Sequence, residues 1–499
     1  MGETTAFSSH TADTNIGGVK SVAIIGAGPS GLSAAKYLSA EESINQVDVF
    51  EQRPHTGGLW NYTPQHRRDN FAIVPQTSPF VGEDQPVPAS HGVSGAEFVS
   101  PIYERLETNN ATPLMGFGDF PFPENSQLFA THDTVRKYVQ AYGKGVEHMI
   151  QFNTQVVDVR LIPATASSRD SWSVTTQRFA DKEVNTTVYD AVVVASGHFT
   201  VPWIPDIPGM KAWETKFPGS IHHAKYFRRP EDYSGKKVIV VGNNASGIDI
   251  GAQINTYCNK PIIFSQRKES LTNQGLPPII GKVTHPEIVE YLPEPKRTVK
   301  FTDGSTEENV DIILYATGYL YSLPFLESLQ DTSFPPIGDG TRVQHTYRHL
   351  IYRPNPTLSF LTLNQNLIPY PHSEAQSTVL AHLFTGRLTL PTDDEMRRWE
   401  TKRLEETGSA GFHTLPVSDP DQTPGICLWG SQASGSAAKV LIPWTQKHLW
   451  IWENMPALRR AFVSMGEKRR GVTSVEQLRL ASGLPAFWET TGSVASTKL

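Results

Sequence analysis

The chain has 499 residues, of which 38% are hydrophobic and 19% are charged, and its formal net charge is −6. This length suffices for two or three domains with their own cores, and the composition is that of an ordinary soluble protein. The negative net charge argues against nucleic acid and anionic membrane surfaces as partners. The two cysteines, Cys258 and Cys427, lie far apart in the sequence. This excludes a disulfide scaffold and favours a reducing, cytoplasmic setting.

The two ends of the chain carry no sign of membrane targeting. Residues 1–18 are small and polar, and they predict a disordered tail without the apolar core of a signal peptide. Residues 491–499 are also polar. No apolar run reaches the roughly eighteen residues that a membrane-spanning helix needs, so we predict no membrane span.

The clearest motif begins at residues 22–25, an apolar run that predicts a buried parallel strand. The motif that follows is Gly26-Ala27-Gly28-Pro29-Ser30-Gly31, and residues 32–38 then predict a helix. In this G-x-G-x-x-G spacing the first glycine permits a tight turn and the second admits a pyrophosphate close to the backbone. The third lets helix and strand pack closely. Unpaired N–H groups at the helix start favour phosphate binding.

A second predicted strand, residues 46–50, ends in Glu51. This acid follows the last glycine by about twenty residues, the spacing at which a carboxylate binds a ribose hydroxyl. Together these features predict a dinucleotide site; the alternative is a structural glycine turn in another α/β protein. The next motif, Gly57-Gly58-Leu59-Trp60, lets the backbone bend close to a ligand beside a flat aromatic ring. Its alternative is a tight loop around a core tryptophan.

The middle of the chain combines predicted elements with one polar segment. Residues 61–100 predict a long loop, residues 131–143 a helix opened by His132-Asp133-Thr134 as a cap, and residues 152–161, 172–179 and 187–189 an antiparallel β unit. Thr108, Asn109 and Asn110 are polar side chains among apolar neighbours. Because buried amides need hydrogen-bond partners, this segment either caps a helix or contacts a ligand.

A second glycine motif repeats the design of the first. A strand ending at residue 241 leads into a turn and a predicted helix that contain Gly242, Asn244, Ser246, Gly247, Ile248 and Asp249. Asn244 replaces the middle glycine. Because asparagine tolerates left-handed backbone better than other non-glycine residues, the turn can survive. The next strand, residues 261–265, ends in Gln266-Arg267-Lys268. A cation there suits the 2′-phosphate of NADP(H); a solvated surface charge is the alternative.

The two motifs predict an α/β protein with two Rossmann-like dinucleotide-binding domains, the NADP domain inserted into the FAD domain. The predicted segments are a disordered tail (1–18), the first part of the FAD-binding domain (19–203), the NADP-binding domain (204–325), the second part of the FAD-binding domain (326–450) and a C-terminal extension (451–499). Residues 373–385 predict a helix with Gln376 near its start, and residues 393–407 an exposed, charged helix. Two such cofactors suggest hydride transfer from NADPH to a flavin.

One further segment lies between the two nucleotide motifs. The sequence Phe217-Pro-Gly-Ser-Ile-His-His-Ala-Lys-Tyr-Phe227 matches F-x-G-x-x-x-H-x-x-x-F and resembles the signature of class B flavin-dependent monooxygenases. Residues 57–60, 108–122, 316–319 and 368–376 are similar to the corresponding segments of flavin-containing monooxygenases. The resemblance covers about residues 20–430. Baeyer–Villiger enzymes normally end this signature with Trp followed by Pro or Asp, whereas Arg228 follows Phe227 here, which favours oxidation of nitrogen or sulfur.

The resemblance implies an enzyme that binds FAD and NADPH, of the N,N-dimethylaniline monooxygenase type. In that family NADPH reduces FAD, and O2 then gives a C4a-hydroperoxyflavin. This intermediate transfers one oxygen atom to a soft nucleophile, the nitrogen or sulfur of a small molecule. The enzyme excludes water from the reactive intermediate, so few side chains act as acids or bases. No metal is implied.

The resemblance also implies roles for individual residues. The implied cofactor-binding residues are Gly26, Ala27, Gly28, Pro29, Ser30, Gly31, Glu51, Gly58, Leu59, Trp60, Thr108, Asn109, Asn110 and Gln376 on the flavin side, and Gly242, Ser246, Gly247, Ile248, Asp249 and Arg267 on the NADPH side. Asn109 is the expected catalytic residue, hydrogen-bonded to the reactive flavin. His223 is expected to be structural. Ala111 stands where related sequences usually have proline, so that loop is expected to differ.

Two other functions are compatible with the same residues. One is a Baeyer–Villiger monooxygenase acting on ketones, and the other is a flavin-binding protein without turnover. A disulfide reductase is disfavoured because paired cysteines are missing. The sequence does not identify the amine or sulfur substrate, and a homodimer is one option for an assembly that it leaves open.

Overall fold

A computed structural model describes residues 14–64, 73–82, 84–87, 95–165, 169–267, 279–416, 418–435, 439 and 444–483. Lys268, residues 1–13 of the expected disordered tail and residues 491–499 lie outside the described residues. The expectation of disorder was wrong for residues 14–18. Gly18 N and Val19 N donate hydrogen bonds to Phe384 O at 3.0 and 3.2 Å, and Leu390 N donates to Thr14 O at 2.7 Å.

The strands of the described residues are given in chain order. They are β1 (Ser21–Ile25), β2 (Gln46–Phe50), β3 (Ile150–Gln151), β4 (Thr154–Ile162), β5 (Ser171–Arg178), β6 (Val184–Tyr189), β7 (Ala191–Val194), β8 (Val201–Pro202), β9 (Ile221–His223), β10 (Val238–Val241), β11 (Ile263–Ser265), β12 (Val283–His285), β13 (Ile288–Leu292), β14 (Thr298–Phe301), β15 (Thr306–Glu307), β16 (Ile312–Tyr315), β17 (Tyr319–Leu320), β18 (Thr346–Tyr347), β19 (Ile351–Tyr352) and β20 (Leu358–Phe360).

The α-helices follow in the same order. They are α1 (Pro29–Ser39), α2 (Thr112–Met115), α3 (His132–Gly143), α4 (Met210–Lys216), α5 (Ala245–Ile254), α6 (Glu327–Gln330), α7 (Pro369–Phe384), α8 (Asp393–Gly411), α9 (Thr423–Gly430), α10 (Gln446–Glu453), α11 (Met455–Ser464) and α12 (Val475–Ser482). No helix in these described stretches is long and apolar enough to cross a bilayer.

The first nucleotide fold is built on a seven-stranded sheet of order β18-β19-β20-β7-β1-β2-β3. One of its inner strands, β1, pairs in parallel with β2 and with β7, so that Val22 lies opposite Val47 and Ala191. All three residues are buried. The predicted buried parallel strand is therefore confirmed, and the helix predicted after it is α1.

The second nucleotide fold is a five-stranded parallel sheet of order β12-β11-β10-β16-β9. Its strands all lie between residues 221 and 315, and the first sheet resumes at residue 346. The second fold is thus inserted into the first, as the sequence predicts. Because β1 and β10 are inner strands that each end in a glycine turn, the two predicted nucleotide sites have the same local design.

The two glycine turns have the same backbone geometry. Gly26 has φ +104° and Gly242 has φ +98°, in the region that favours glycine. A Cβ on either would lie 2.7 or 2.6 Å from a carbonyl oxygen of the neighbouring strand end. A Cβ on Gly31 or Gly247 would overlap the carbonyl oxygen of the first glycine of its own motif. The predicted tight turn and close helix packing are both confirmed.

The replacement of the middle glycine by Asn244 has a different explanation from the one expected. Asn244 has φ −78° and ψ −178°, and Gly28 has φ −74° and ψ −178°. Both backbones are extended, a conformation open to any residue. The expectation that tolerance of left-handed backbone preserves this turn was wrong, because the position never requires it.

Some predicted helix ends were also wrong. Helix α3 is capped by Thr131, whose Oγ1 accepts from Thr134 N at 3.4 Å, so residue 131 lies outside the helix. Helix α7 begins at Pro369 instead of Ser373, because proline fits the first helical turn. Helix α8 continues to residue 411 across a kink at Gly408, which has φ 66°. The antiparallel sheet of β4, β5 and β6 is confirmed.

Helix α7 is buried along most of its length and carries a carboxyl group in the core. Glu374 is buried; it accepts from Gly118 N at 2.7 Å and from Tyr37 OH at 3.3 Å. Burial raises the pKa of Glu374 to about 7, because the charged form loses its hydration. The other titratable groups that act on it or surround it are Lys36, Tyr37, Asp119, Tyr138, Tyr142, Cys427 and Lys439.

Adding one methyl group at the third glycine of the second motif is expected to destabilise the fold. Gly247→Ala places a Cβ against a backbone carbonyl that cannot rotate away. We expect a loss of about 1–3 kcal/mol in the free energy of unfolding, the usual range for overpacking. Gly145→Ala is the matched control, because its Cβ would meet only the tip of a lysine. Urea denaturation of both variants measures the difference; equal midpoints would contradict close packing at Gly247.

The buried carboxyl group predicts a pH dependence of stability. The folded-state pKa of Glu374, about 7, lies above the ordinary value of 4.5. Its contribution is therefore fully present below about pH 4.5 and is lost as the pH rises through 7. Between pH 5 and 8 the free energy of unfolding of the wild type should fall by up to about 3 kcal/mol relative to Glu374→Gln. The amide keeps an acceptor for Gly118 N but cannot ionise. Parallel pH profiles from thermal denaturation would contradict this pKa.

Candidate functional site

The acid at the end of β2 lies directly beside the first glycine turn. Glu51 is buried; its Oε2 accepts from Ala27 N at 2.8 Å and its Oε1 accepts from Arg53 N at 2.9 Å. Burial raises the pKa of Glu51 above its ordinary value. Each carboxylate oxygen has a second lone pair, so Glu51 has acceptor capacity left for a ribose hydroxyl.

The paired glycines after β2 bring a second loop against the same turn. Gly57 N donates to Ala27 O at 3.1 Å, and a Cβ on Gly58 would lie 2.9 Å from the Cα of Gly28. Gly57 and Gly58 have φ values of 119° and 55°. The loop continues as a short 3-10 turn, Gly58–Trp60. Leu59 and Trp60 lie in this turn, and their contact with FAD stays a prediction.

A polar chain joins the glycine turn to α7. Ser30 Oγ lies 2.8 Å from Thr362 Oγ1, and Thr362 N donates to Gln376 Oε1 at 2.8 Å. Gln376 is buried, and its Nε2 has no hydrogen-bond partner among the described residues. An unpaired buried donor is costly, so this amide is suited to a ligand. Sequence reasoning missed Thr362. Its unusual feature is a backbone φ of 56°, which the folded structure shows and the sequence does not.

The polar segment at residues 108–110 does not cap a helix. The N-cap of α2 is Ala111, which makes no side-chain cap. Thr108 is buried, with its N–H donating to Ala130 O at 2.9 Å and its Oγ1 donating to Asn110 O at 2.8 Å. Asn109 is exposed and Asn110 is half-buried. The expectation that the two amide side chains are buried was wrong. Because this segment does not cap a helix, contact with a ligand is the remaining alternative, and the exposed Asn109, next to the hydrogen-bonded Thr108, is the candidate for it.

The second glycine turn presents fewer polar groups than the sequence predicts. Ser246 is exposed in the first turn of α5, whereas Gly247 and Ile248 are buried. Asp249 accepts a hydrogen bond from Tyr103 OH and a second from Gln253 Nε2 at 3.0 Å. Burial raises the pKa of Asp249. Its carboxylate is thus engaged with two protein donors.

The predicted 2′-phosphate ligand lies just after β11, at the same sheet edge as the turn. Arg267 is three-quarters exposed, and its Nε donates to Glu287 Oε1 at 2.6 Å. Exposed ion pairs contribute about 0–1 kcal/mol, so a phosphate dianion can replace Glu287 at little cost. The geometry is that of a surface ion pair.

The signature histidine is a buried structural group. His223 lies in β9, and its Nδ1 accepts from Lys225 N at 3.1 Å. Burial lowers the pKa of His223 to about 3, so the ring is neutral. Lys225 is also buried, and its Nζ donates to Thr200 O at 2.6 Å in the segment that enters the second fold. These contacts support the expected structural role.

Residues 100–107, here called the strap, run from the first fold across the second. Arg228 is buried; its Nη2 donates to Ser100 O at 3.1 Å and its Nη1 to Ile102 O at 3.3 Å. Glu104 N donates to Arg228 O at 3.0 Å. The strap thereby connects the second fold to Thr108 and Asn109. Sequence reasoning used Arg228 only to separate subfamilies and missed this role.

The two turns fit dinucleotides in several respects. In each turn an α-helix begins at the fourth position of the glycine motif, directly after Gly28 or Asn244, where N–H groups and the helix dipole favour phosphate. Beside the first turn lie a carboxylate with spare acceptor capacity and the unpaired amide of Gln376. Beside the second lies the cation of Arg267. The first set suits FAD, and the second suits NADPH.

Comparison with known protein families agrees with this geometry. A model of the flavin-binding monooxygenase-like family matches residues 94–271 and 252–417, which together span more than half of the chain. A model of the NAD(P)-binding Rossmann-like domain matches residues 24–86. A flavin-binding family with an NAD(P)-binding fold supports FAD and NADPH as the cofactors.

Individual relatives agree as well. The thiol-specific monooxygenase of Saccharomyces cerevisiae is 31% identical over 390 residues, covering 75% of this chain and 79% of the relative. Flavin-containing monooxygenase FMO GS-OX1 of Arabidopsis thaliana is 34% identical over 389 residues, covering 76% of each. The solved structure of S-allyl-L-cysteine S-oxygenase from Allium sativum matches with a TM-score of 0.71 and 26% identity, covering 93% of this chain and 98% of that one.

The inserted second fold, the paired glycine turns and the family match lead to one identification. The expected class of enzyme is confirmed at the level of the family, and the predicted fold class is confirmed. This chain belongs to the flavin-containing monooxygenase family and is a flavin-dependent oxidoreductase.

Proposed function

We propose that this enzyme uses NADPH and O2 to transfer one oxygen atom to the sulfur or nitrogen of a small molecule. The observation that supports the proposal is that the strap contacts both nucleotide folds and leads directly into Thr108 and Asn109. Ser100 Oγ donates to Leu59 O, in the loop that packs against the first glycine turn, and Tyr103 OH donates to Asp249 of α5. Two nucleotides bound at these turns would meet at this segment. The balanced reaction consumes NADPH, a proton, O2 and the substrate, and it yields NADP+, water and the oxygenated product.

The protein residues bind and orient in this scheme. FAD, when bound, supplies the chemistry of accepting a hydride and reacting with O2. Glu51 would accept from the adenosine ribose of FAD, and Gln376 Nε2, which has no partner among the described residues, would donate to the same cofactor. Asn109, which is exposed, would present its amide to the flavin. His223 contributes no proton transfer, because it is buried and neutral.

Sulfur compounds are the first substrate class in this proposal. Two of the relatives bear names that specify sulfur chemistry, a thiol-specific monooxygenase and an S-oxygenase. A thioether or thiol is already nucleophilic without a catalytic base. The proposal therefore assigns no catalytic base, and burial lowers the pKa of His223, the signature histidine, to about 3.

The first test is anaerobic mixing of the purified flavoprotein with NADPH, followed by O2 and a substrate panel. We expect NADPH to bleach the oxidised-flavin band. Thioethers or tertiary amines should then give products one oxygen atom heavier, in proportion to the NADPH consumed. A thiol should give a sulfenic acid, which condenses with a second thiol to a disulfide and water. Mass spectrometry with 18O2 identifies the oxygen source. Failure of NADPH to bleach the flavin would contradict the proposal, and ester products from ketones alone would assign Baeyer–Villiger activity instead.

A substitution at the proposed 2′-phosphate site tests cofactor preference. Arg267→Gln removes a charged hydrogen bond worth about 1.5–3 kcal/mol, which corresponds to an increase of about 10- to 100-fold in KM for NADPH. KM for NADH should change little, because NADH lacks the 2′-phosphate. Steady-state NADPH and NADH oxidation gives both values.

The matched control for this test is Glu287→Gln, which frees Arg267 from its ion pair. We expect KM for NADPH to stay equal or to fall in that variant. If Arg267→Gln raised KM for both nucleotides alike, Arg267 would not bind the 2′-phosphate.

A further inference from the structure

The predicted C-terminal extension reaches the interface between the two nucleotide folds. Glu107, the last residue of the strap, is mostly buried. Arg469 lies on the turn after α11, and its Nε donates to both carboxylate oxygens of Glu107 at 3.1 Å. Gln127 Nε2 donates to Glu107 Oε1 at 3.0 Å. A carboxylate that begins the segment leading to Asn109 is therefore held by the far end of the chain.

A second arginine of the extension lies between the strap and the second fold. Arg459, on α11, places Nη1 3.9 Å from Glu107 Oε2. Its guanidinium covers the ring of Phe129 at 4.9 Å from the centroid. Burial lowers the pKa of Arg459, and the negative charges of Asp249 and Glu107 oppose this effect. One buried cation thus acts on carboxylates of both the strap and α5.

The carboxylate of Asp249 completes this connection. It accepts from Tyr103 OH of the strap, so the strap binds α5 at one point and the C-terminal extension at another. Arg105 forms an ion pair with Glu231 of the second fold, but both side chains are exposed. Because the buried contacts are the stronger ones, the extension and α5 fix the position of the strap together.

We infer that the C-terminal extension is a clamp, in which Arg459 and Arg469 act through Glu107 and the strap to position Thr108–Asn110 against the nucleotide bound at α5. This inference rests on the proposed function, in which NADPH binds at α5 and Asn109 contacts the flavin. Both arginines are positioning residues, since neither contacts the glycine turns in the structure. Val472, which directly follows the 3-10 turn that carries Arg469, also accepts a backbone hydrogen bond from Leu128 N at 2.8 Å.

The clamp predicts a defined failure when it is weakened. A displaced strap would weaken the binding of NADPH and shelter the reduced enzyme less well from water and free O2. NADPH, a proton and O2 would then give NADP+ and hydrogen peroxide without oxygenated product. The turnover of NADPH would persist, while its coupling to product would fall.

The test compares Arg469→Gln with Arg470→Gln in the full-length flavoprotein. Arg470 is the matched control, because it pairs with Glu467 on the surface and both side chains are about three-quarters exposed. For Arg469→Gln we expect KM for NADPH to rise about three- to tenfold, within the range of coupled neighbours. kcat for NADPH oxidation should be nearly unchanged, and the hydrogen peroxide fraction should rise. Arg469→Lys, which keeps the charge, should restore part of the coupling.

A second variant distinguishes the loss of the Glu107–arginine contacts from a general loss of folding. Glu107→Gln keeps the size of the side chain and an acceptor for Gln127, yet it removes the charge on which both arginines act. It should reproduce the effect on KM and coupling. In both variants, hydrogen–deuterium exchange of residues 103–110 should increase relative to α1, which is a readout independent of turnover.

The outcomes separate this inference from the proposed function. Unchanged KM, coupling and exchange at 103–110 in both variants would overturn the clamp, even if thermal stability fell. A wild-type enzyme that oxidised no NADPH would overturn the proposed function alone, and the exchange experiment would still decide whether the extension positions the strap.

Discussion

The architecture depends on two close backbone contacts, Gly31 against Gly26 and Gly247 against Gly242, which are so close that a Cβ atom would not fit. In both folds the third glycine of the motif brings the first turn of a helix against the carbonyl oxygen of the first glycine. This contact sets the helix directly over the end of its parent strand, so that unpaired N–H groups face the space beyond the sheet. Glu51 and Arg267 both lie at the end of the neighbouring strand. Each predicted nucleotide site thus combines one steric constraint, the close glycine contact, with one charged residue, Glu51 or Arg267.

The rest of the site is arranged by buried polar groups with few options for hydrogen bonding. Arg228 donates to carbonyl oxygens of the strap, and Glu107 receives Arg469 from the other end of the chain. A buried charge needs partners with defined geometry, so each of these contacts fixes a direction as well as a distance. Gln376 departs from this rule: its Oε1 is held by Thr362 N, whereas its Nε2 has no partner among the described residues. This amide group is therefore available to a ligand at a fixed position beside the first glycine turn.

Much of the fold and part of the candidate site could be predicted from the sequence. The two glycine motifs, the acid after the second strand and the inserted order of the folds are local patterns, and the structure confirms them. Helix ends were less accurate, since Thr131 and Pro369 act through cap geometry that several neighbouring residues could supply. The sequence could not reveal the contact of Thr362 with Gln376 or that of Asp249 with Tyr103, because each of these partners lies more than ten residues away in the chain.

The sequence by itself determined the fold class, the two cofactors and the family. Glycine spacing and strand periodicity act over a few residues and do not need a tertiary structure to be recognised. Only the tertiary structure decided that Asn109 is exposed, that Asp249 is engaged with Tyr103 and that the C-terminal extension holds Glu107. Those outcomes depend on which distant carbonyl, hydroxyl or guanidinium group packing brings within 3–4 Å, and no local pattern encodes that choice.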